Sequence, residues 1–232
     1  MAERHEGRLE SEPVRLESDG LSVSGLWTEA VHPIAVAAIA HGAGAGMTHP
    51  FMTGVAAGLN AGGVSVLRFN FPYMDAHRRA PDPPAALTEA WKAAMQYVVG
   101  RSNGAPVFAG GKSLGGRIAS ILAATQGRDF TGAGLIFFGY PLHAPGRTDQ
   151  PRDAHLSKIC TPMLFIQGTR DQLARLDLIE AVVRRLHPLA RLQLVEGGDH
   201  SFRVRGSQAS DQEIGHRLGH IAAVFVSEVA AR

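Results

Sequence analysis

Residues 109–117 read AGGKSLGGR, and two kinds of chemistry could use them. Gly111-Lys112-Ser113 has the ending of G-x-x-x-x-G-K-[ST], a loop whose backbone amides cradle phosphates. Gly111 to Gly115 also fits G-x-S-x-G, a sharp turn that presents a serine hydroxyl as a nucleophile. The phosphate loop requires glycine five positions before Gly111. That position holds Pro106, which can neither take the required backbone geometry nor donate an N–H. The apolar run PVFAG also leads straight into Gly110-Gly111, leaving no loop for phosphates. A second glycine cluster, His41-Gly42-Ala43-Gly44-Ala45-Gly46, misses the dinucleotide pattern G-x-G-x-x-G because Met47 takes the third glycine's place. The apolar run after it ends in Arg68-Phe69-Asn70, with no carboxylate for a ribose.

The serine reading has better surroundings. Strand-like PVFAG precedes Ser113, and Gly115 to Ala124 reads as a helix after it, so Ser113 is more than an ordinary helix cap. A hydroxyl is a weak nucleophile near neutrality; it needs a base, and the base needs an orienting carboxylate. Asp171 follows the apolar run PMLFIQG, and His200 follows ARLQLVEG. Both therefore fall in loops beyond strand ends, in the order serine, acid, histidine. Asp171 could also cap a helix beginning near Leu173. Asp199 is a rival acid, but beside His200 it would have to turn back onto the imidazole. His41, His49 and His143 come too early in this order. His216 and His220 are spaced i, i+4 without a visible third metal ligand, and read as a solvated helix face. No metal site is expected. The oxyanion of an acyl-transfer step needs two backbone N–H donors. Leu114, directly after the serine, is one; Ala43 is the first choice for the other, with Gly44 next.

These loops need a frame. Two strand-like stretches, 14–17 and 21–28, are joined by the turn pair Asp19-Gly20. Continuous apolar runs follow at 34–40, 64–71, 106–110, 133–139, 162–168 and 190–197, as expected of parallel strands covered on both faces. Helical segments lie between them, at 51–61, 85–99, 115–125, 173–186 and 212–231. Leu87, Trp91, Ala94, Met95 and Val98 fall at helical spacing and read as core contacts. The alternation predicts an α/β fold with a mainly parallel sheet and helices on both faces. Ligands of such sheets bind at the carboxyl ends of the strands.

Composition narrows the classes further. The chain has 232 residues, 45% hydrophobic, which suits one globular domain over 1–232. Its 23 basic and 21 acidic residues are scattered, so neither a nucleic-acid nor a membrane partner is expected. The charged N-terminal stretch 1–18 lacks the apolar core of a secretory signal, and no apolar run is long enough to span a bilayer. A cytoplasmic protein, monomer or homodimer, is the expectation. Cys160 is the only cysteine and is expected to be a buried, inert thiol.

Taken together, HGAGAGM, RFNFPY, GGKSLGGR, GYPLHAPG, QGTRD and GGDHSF resemble the α/β-hydrolase superfamily over nearly the whole chain. Within it they are similar to a small cap-less branch that includes testis-expressed and NSL-complex-subunit-like proteins, with a core like that of dienelactone hydrolases. The resemblance implies an eight-stranded, mostly parallel sheet and a triad of Ser113, Asp171 and His200. Some members of that branch are complex subunits, so a hydrolase-fold interaction subunit is the alternative to an enzyme. The favoured reading is a serine carboxylesterase acting on short-acyl or chain-like esters without any cofactor. Lys112 departs from what many esterases place before the serine; it could pair with a carboxylate or point into the sheet's edge. The interval between 139 and 168 is too short for a multi-helix lid. An open, shallow site is therefore expected, lined by Met47, Phe51, Tyr73, Met74, Tyr140, Leu142 and Phe202.

Overall fold

Apolar runs that alternate with amphipathic segments become, in the computed structural model, one sheet with helices on both faces. The structure describes residues 10–18 and 20–232. Asp19, half of the expected turn pair, and the first nine residues of the charged N-terminal stretch lie outside them. Strands β1 (Glu12–Ser18) and β2 (Leu21–Thr28) pair antiparallel as a hairpin. They are followed by β3 (Ala35–Ala40), β4 (Val64–Phe69), β5 (Val107–Lys112), β6 (Gly134–Phe138), β7 (Met163–Gly168) and β8 (Ala190–Val195). The eight strands lie in the order β1-β2-β4-β3-β5-β6-β7-β8. β2 runs antiparallel to β4, and every pair from β4 to β8 is parallel. β3, β4, β6 and β7 are buried at every residue, which is why they read as unbroken apolar runs. β8, at the edge, is only partly covered.

The helices are α1 (Pro50–Ala61), α2 (Pro72–Asp75), α3 (Pro84–Arg101), α4 (Leu114–Gln126), α5 (Leu176–Arg185) and α6 (Asp211–Ala230). Prolines at the first turns of α1, α2 and α3 set where those helices begin, since the missing N–H costs nothing there. α6 starts with a reciprocal capping box between Ser210 and Glu213. α5 begins three residues later than the sequence suggests. The Asp171 carboxylate and the His143 imidazole take the amides of Leu173 and Arg175, and hold that stretch as a turn. α2 was not anticipated.

Alternate residues of the central strands feed two cores, as a pleated strand requires. Phe137 joins Trp91 and Phe165 on the face covered by α3, α4 and α5, whereas Phe138 joins Phe51 and Phe225 on the face covered by α1 and α6. α1 and α6 cross with their backbones in contact. A Cβ at Gly58 would stand 2.1 Å from the carbonyl oxygen of His216, and one at Gly215 would stand 2.2 Å from that of Phe51. The segment between β6 and β7 carries only a short 3-10 turn, Ala154–Lys158, so no helical cap covers the sheet's carboxyl edge. Cys160 follows that turn and is exposed, contrary to expectation. Its neighbour Ile159 takes the inward position and leaves the thiol facing outward.

Candidate functional site

β5 ends at Lys112 and α4 begins at Leu114, so Ser113 must turn the chain alone. Its backbone adopts φ 48° and ψ −110°, a sparsely populated conformation that costs an L-residue about 1–3 kcal/mol. The strain is held by the packing around it. The Ser113 amide donates to the Phe138 carbonyl at 3.1 Å, and the Ser113 carbonyl accepts from Arg117 at 3.0 Å. A Cβ at either Gly111 or Gly115 would approach the Ala40 carbonyl oxygen to 2.4 Å. Both glycines of the motif are thus fixed by the closeness of β3 to the turn.

The turn directs the Ser113 hydroxyl at the His200 imidazole. Ser113 Oγ lies 2.9 Å from His200 Nε2, and His200 Nδ1 lies 2.7 Å from Asp171 Oδ2. Asp171, buried after β7, has its other oxygen held by the Leu173 amide at 2.7 Å. Capping and orientation are therefore both served by one carboxylate. Asp199 faces elsewhere: its Oδ1 accepts from the amides of Ser201 and Arg203 and shapes the turn around His200. Of the sites raised by the sequence, Ser113, Asp171 and His200 come together. His216 and His220 are exposed on α6, and among the described residues no three His, Cys, Asp or Glu side chains gather as a metal site.

The loop after β3 passes beside the serine, close enough that a Cβ at Gly42 would lie 3.6 Å from that of Ser113. It turns at Gly42–Ala45, where the Ala45 amide meets the Gly42 carbonyl and Gly44 has φ 77°. Among the described residues neither the Ala43 nor the Leu114 amide donates to another protein group. Ala43 lines the cavity that holds Ser113, and Leu114 follows the serine directly. Three side chains hold this loop. His41, fully buried, contacts the Gly42 carbonyl through Nδ1 at 2.8 Å and accepts the Phe71 amide on Nε2 at 3.0 Å. Only a neutral imidazole can do both, and burial pushes its pKa down to about 4. Arg68 donates to the Met47 carbonyl, and Asn70 accepts the Met47 amide.

Gln167 and His143 were not singled out as supports from the sequence. Gln167, fully buried in β7, donates to Asp171 Oδ2 and accepts the Tyr140 amide. Its signal was a lone amide inside PMLFIQG. His143 bridges the loops after β6 and β7 by accepting the Arg175 amide.

A cavity of about 410 Å³ opens over Ser113. One wall is the small-residue loop 42–45; Phe51, Met52 and Leu173 supply apolar surface; His49, Arg203 and Asp211 form a polar rim. Of the seven expected lining residues only Phe51 belongs to it. Phe202 is buried behind Phe51, its ring stacked on the latter at 5.9 Å. Tyr73 is buried against His41 and Phe71. Tyr140 and Leu142 belong to the core on the α4 side, with the Tyr140 hydroxyl on the Arg152 carbonyl. Met47 is held by its backbone to Asn70 and Arg68, and Met74 packs onto that same core; both lie outside the cavity. Strand-end position places a residue near the site, but the loop's own dihedrals decide which way its side chain turns.

A sequence-family model for the alpha/beta hydrolase domain matches residues 33–229. Among solved structures, dienelactone hydrolase from Anabaena variabilis aligns with a TM-score of 0.74 at 19% identity, over 94% of this chain and 97% of that one. A serine hydrolase without a lid from Xanthomonas campestris gives 0.70 at 19% identity, over 97% and 96%. Est1E from Butyrivibrio proteoclasticus gives 0.71 at 16% identity, over 95% and 99%. At these identities the likeness to the solved structures is one of fold.

Proposed function

Because the chain belongs to the α/β-hydrolase family, we propose that it is a serine hydrolase that cleaves carboxylic esters through Ser113, His200 and Asp171. The observation that carries the reading is the unbroken hydrogen-bonded line from Ser113 Oγ through His200 to Asp171, at 2.9 and 2.7 Å. His200 takes the Ser113 proton as Oγ attacks the ester carbonyl, and the amides of Ala43 and Leu114 receive the oxyanion. Collapse of the tetrahedral intermediate expels the alcohol, which takes its proton from His200. Water, activated by the same histidine, then releases the acid and restores Ser113. Asp171 holds the imidazole with Nε2 toward the serine and stabilises its cationic form. These steps call on no metal or organic cofactor.

The substrate class follows from the cavity. The acyl group meets a loop of glycine and alanine on one side and Phe51, Met52 and Leu173 on the other, which suits short acyl chains. With no helical cap above, the alcohol portion can be bulky or chain-like. The motifs shared with the small cap-less branch are in keeping with such a site.

Labelling by a fluorophosphonate probe, with Ser113→Ala as control, tests the nucleophile. Hydrolysis of p-nitrophenyl acetate, butyrate and octanoate tests the class. Labelling that disappears in the variant, with turnover falling as the acyl chain lengthens, is the expected result. A folded protein that neither labels nor turns over these esters would refute the reading, and partner binding would become the function to pursue.

A further inference from the structure

Lys112, the residue between the first glycine and the serine of the motif, points neither at Ser113 nor into the sheet's edge. Its Nζ donates to the main-chain carbonyl of His200 at 2.7 Å. Among the described residues no backbone amide reaches that carbonyl, so the ammonium is its donor. The surroundings are shaped for it. Nζ lies 5.5 Å from the centre of the Phe202 ring, in reach of a cation–π contact. Gly139 leaves the space beside it, since a Cβ there would come within 3.1 Å of Nζ. Lys112 is half-buried and lines the cavity beside Ser113, and a charge held partly away from water is costly unless it is paired.

Resting on the serine-hydrolase reading, we propose that Lys112 is a positioning residue that ties the nucleophile's strand to the loop bearing the base. Lys112 is bonded covalently to Ser113 and, through Nζ, hydrogen-bonded to His200. The serine–imidazole contact is thereby closed into a ring: Ser113 Oγ to His200 Nε2 on one side, Lys112 Nζ to the His200 carbonyl on the other. Without the second tie, the loop after β8 must position His200 alone, and a shift of about 1 Å is enough to cost about 100-fold in rate.

The charge state of Lys112 gives the tie a pH dependence. Burial pushes its pKa down to about 8, opposed by Asp171 after β7 and Asp199 after β8. His200 faces it from the same loop. As pH rises through that value the ammonium becomes an amine and a weaker donor, so the tie slackens at alkaline pH.

The test compares wild type with Lys112→Met and Lys112→Arg. The readouts are kcat and KM for p-nitrophenyl acetate from pH 6 to 10, and the low-field proton NMR resonance of His200 Nδ1–H. Lys112→Met is expected to lower kcat by about 10- to 100-fold with KM little changed, and to broaden the resonance. Lys112→Arg, whose guanidinium keeps its charge, is expected to restore part of kcat and to move the alkaline fall in activity above pH 9. In wild type the resonance should itself broaden as pH rises through about 8, an outcome that needs no variant to fold. A Lys112→Met protein with kcat within twofold of wild type and a sharp resonance would overturn the proposal. A wild-type resonance that stays sharp to pH 10 would overturn the pH dependence of the tie. Wild type that turns over no ester, but whose resonance follows Lys112 as described, would remove the esterase reading and leave the positioning role standing.

Discussion

Gln167 and Asp171 form a buried pair in which the Gln167 amide donates to Oδ2, the same oxygen that faces His200 Nδ1. The other end of the Gln167 amide accepts the Tyr140 amide at 2.9 Å. A single side chain thus fixes the carboxylate and pins the loop after β6 to β7. Replacing it by leucine keeps the volume but leaves the Tyr140 N–H without its acceptor and the carboxylate without one donor. Gln167→Leu is expected to lose about 1–3 kcal/mol of stability in urea unfolding. It should lower kcat about tenfold, with little effect on KM, because the base is oriented less well in the transition state.

The glycines around Ser113 make a sharper prediction. In Gly115→Ala the new Cβ would stand 2.4 Å from the Ala40 carbonyl oxygen and 2.7 Å from that of His41, both backbone atoms that cannot swing aside. The loop carrying the Ala43 amide starts at His41, so the displacement reaches the proposed oxyanion site directly. Gly104→Ala is the control: it has φ 85° and no atom within 4 Å, so it should cost only the left-handed strain, about 1–2 kcal/mol. Gly115→Ala should be the less stable of the two in thermal melts, and its soluble fraction should fail to label with fluorophosphonate while Gly104→Ala labels normally.

The frame and the three central side chains were legible in the sequence because each leaves a pattern in residue order. Strands covered on both faces must be apolar throughout, and loops beyond their carboxyl ends are where Asp171 and His200 had to fall. What lines the cavity was not legible in this way. Phe202 has φ 64°, which turns its ring inward behind Phe51, and nothing in GGDHSF specifies that dihedral. Cys160 shows the same limit on a smaller scale, since a one-residue offset decides whether it or Ile159 faces the core. Other features do leave a mark in the residue order. Gln167 is a polar residue in a strand that has no room for one unless it is bonded. Small residues four apart in α1 and α6, Gly54 and Gly58 facing Gly215 and Gly219, mark the close crossing of those helices.

That crossing can be tested away from the chemistry. A Cβ at Gly58 would meet the His216 carbonyl oxygen at 2.1 Å and the His220 amide nitrogen at 2.6 Å, forcing α1 and α6 apart. Gly58→Ala is expected to destabilise by about 1–3 kcal/mol, the usual cost of overpacking. Because α1 carries Phe51 and Met52 into the cavity, KM for butyrate esters should rise more than kcat falls. Urea unfolding and steady-state kinetics on the same preparation separate the two effects.

His41 should give the fold a measurable sensitivity to acid. Its imidazole is neutral in the native state, with a pKa near 4 against an ordinary value of 6.5, because burial disfavours the cation. Between those values the unfolded chain binds a proton that the native chain refuses. Stability must therefore fall as pH drops from about 6.5 to about 4, and level off below. The full effect is at most about 3 kcal/mol, from 1.36 kcal/mol per pKa unit. Protonation of the folded chain would also break the acceptance of the Phe71 amide on Nε2, so the loop bearing Ala43 loosens only as the pH falls to about 4 and below. His41→Gln has no proton to gain. The stability difference between wild type and His41→Gln, from urea melts at pH 4 to 7, should shrink as the pH falls. A difference that stays constant across this range would show that His41 is protonated in the folded protein as readily as in the unfolded one.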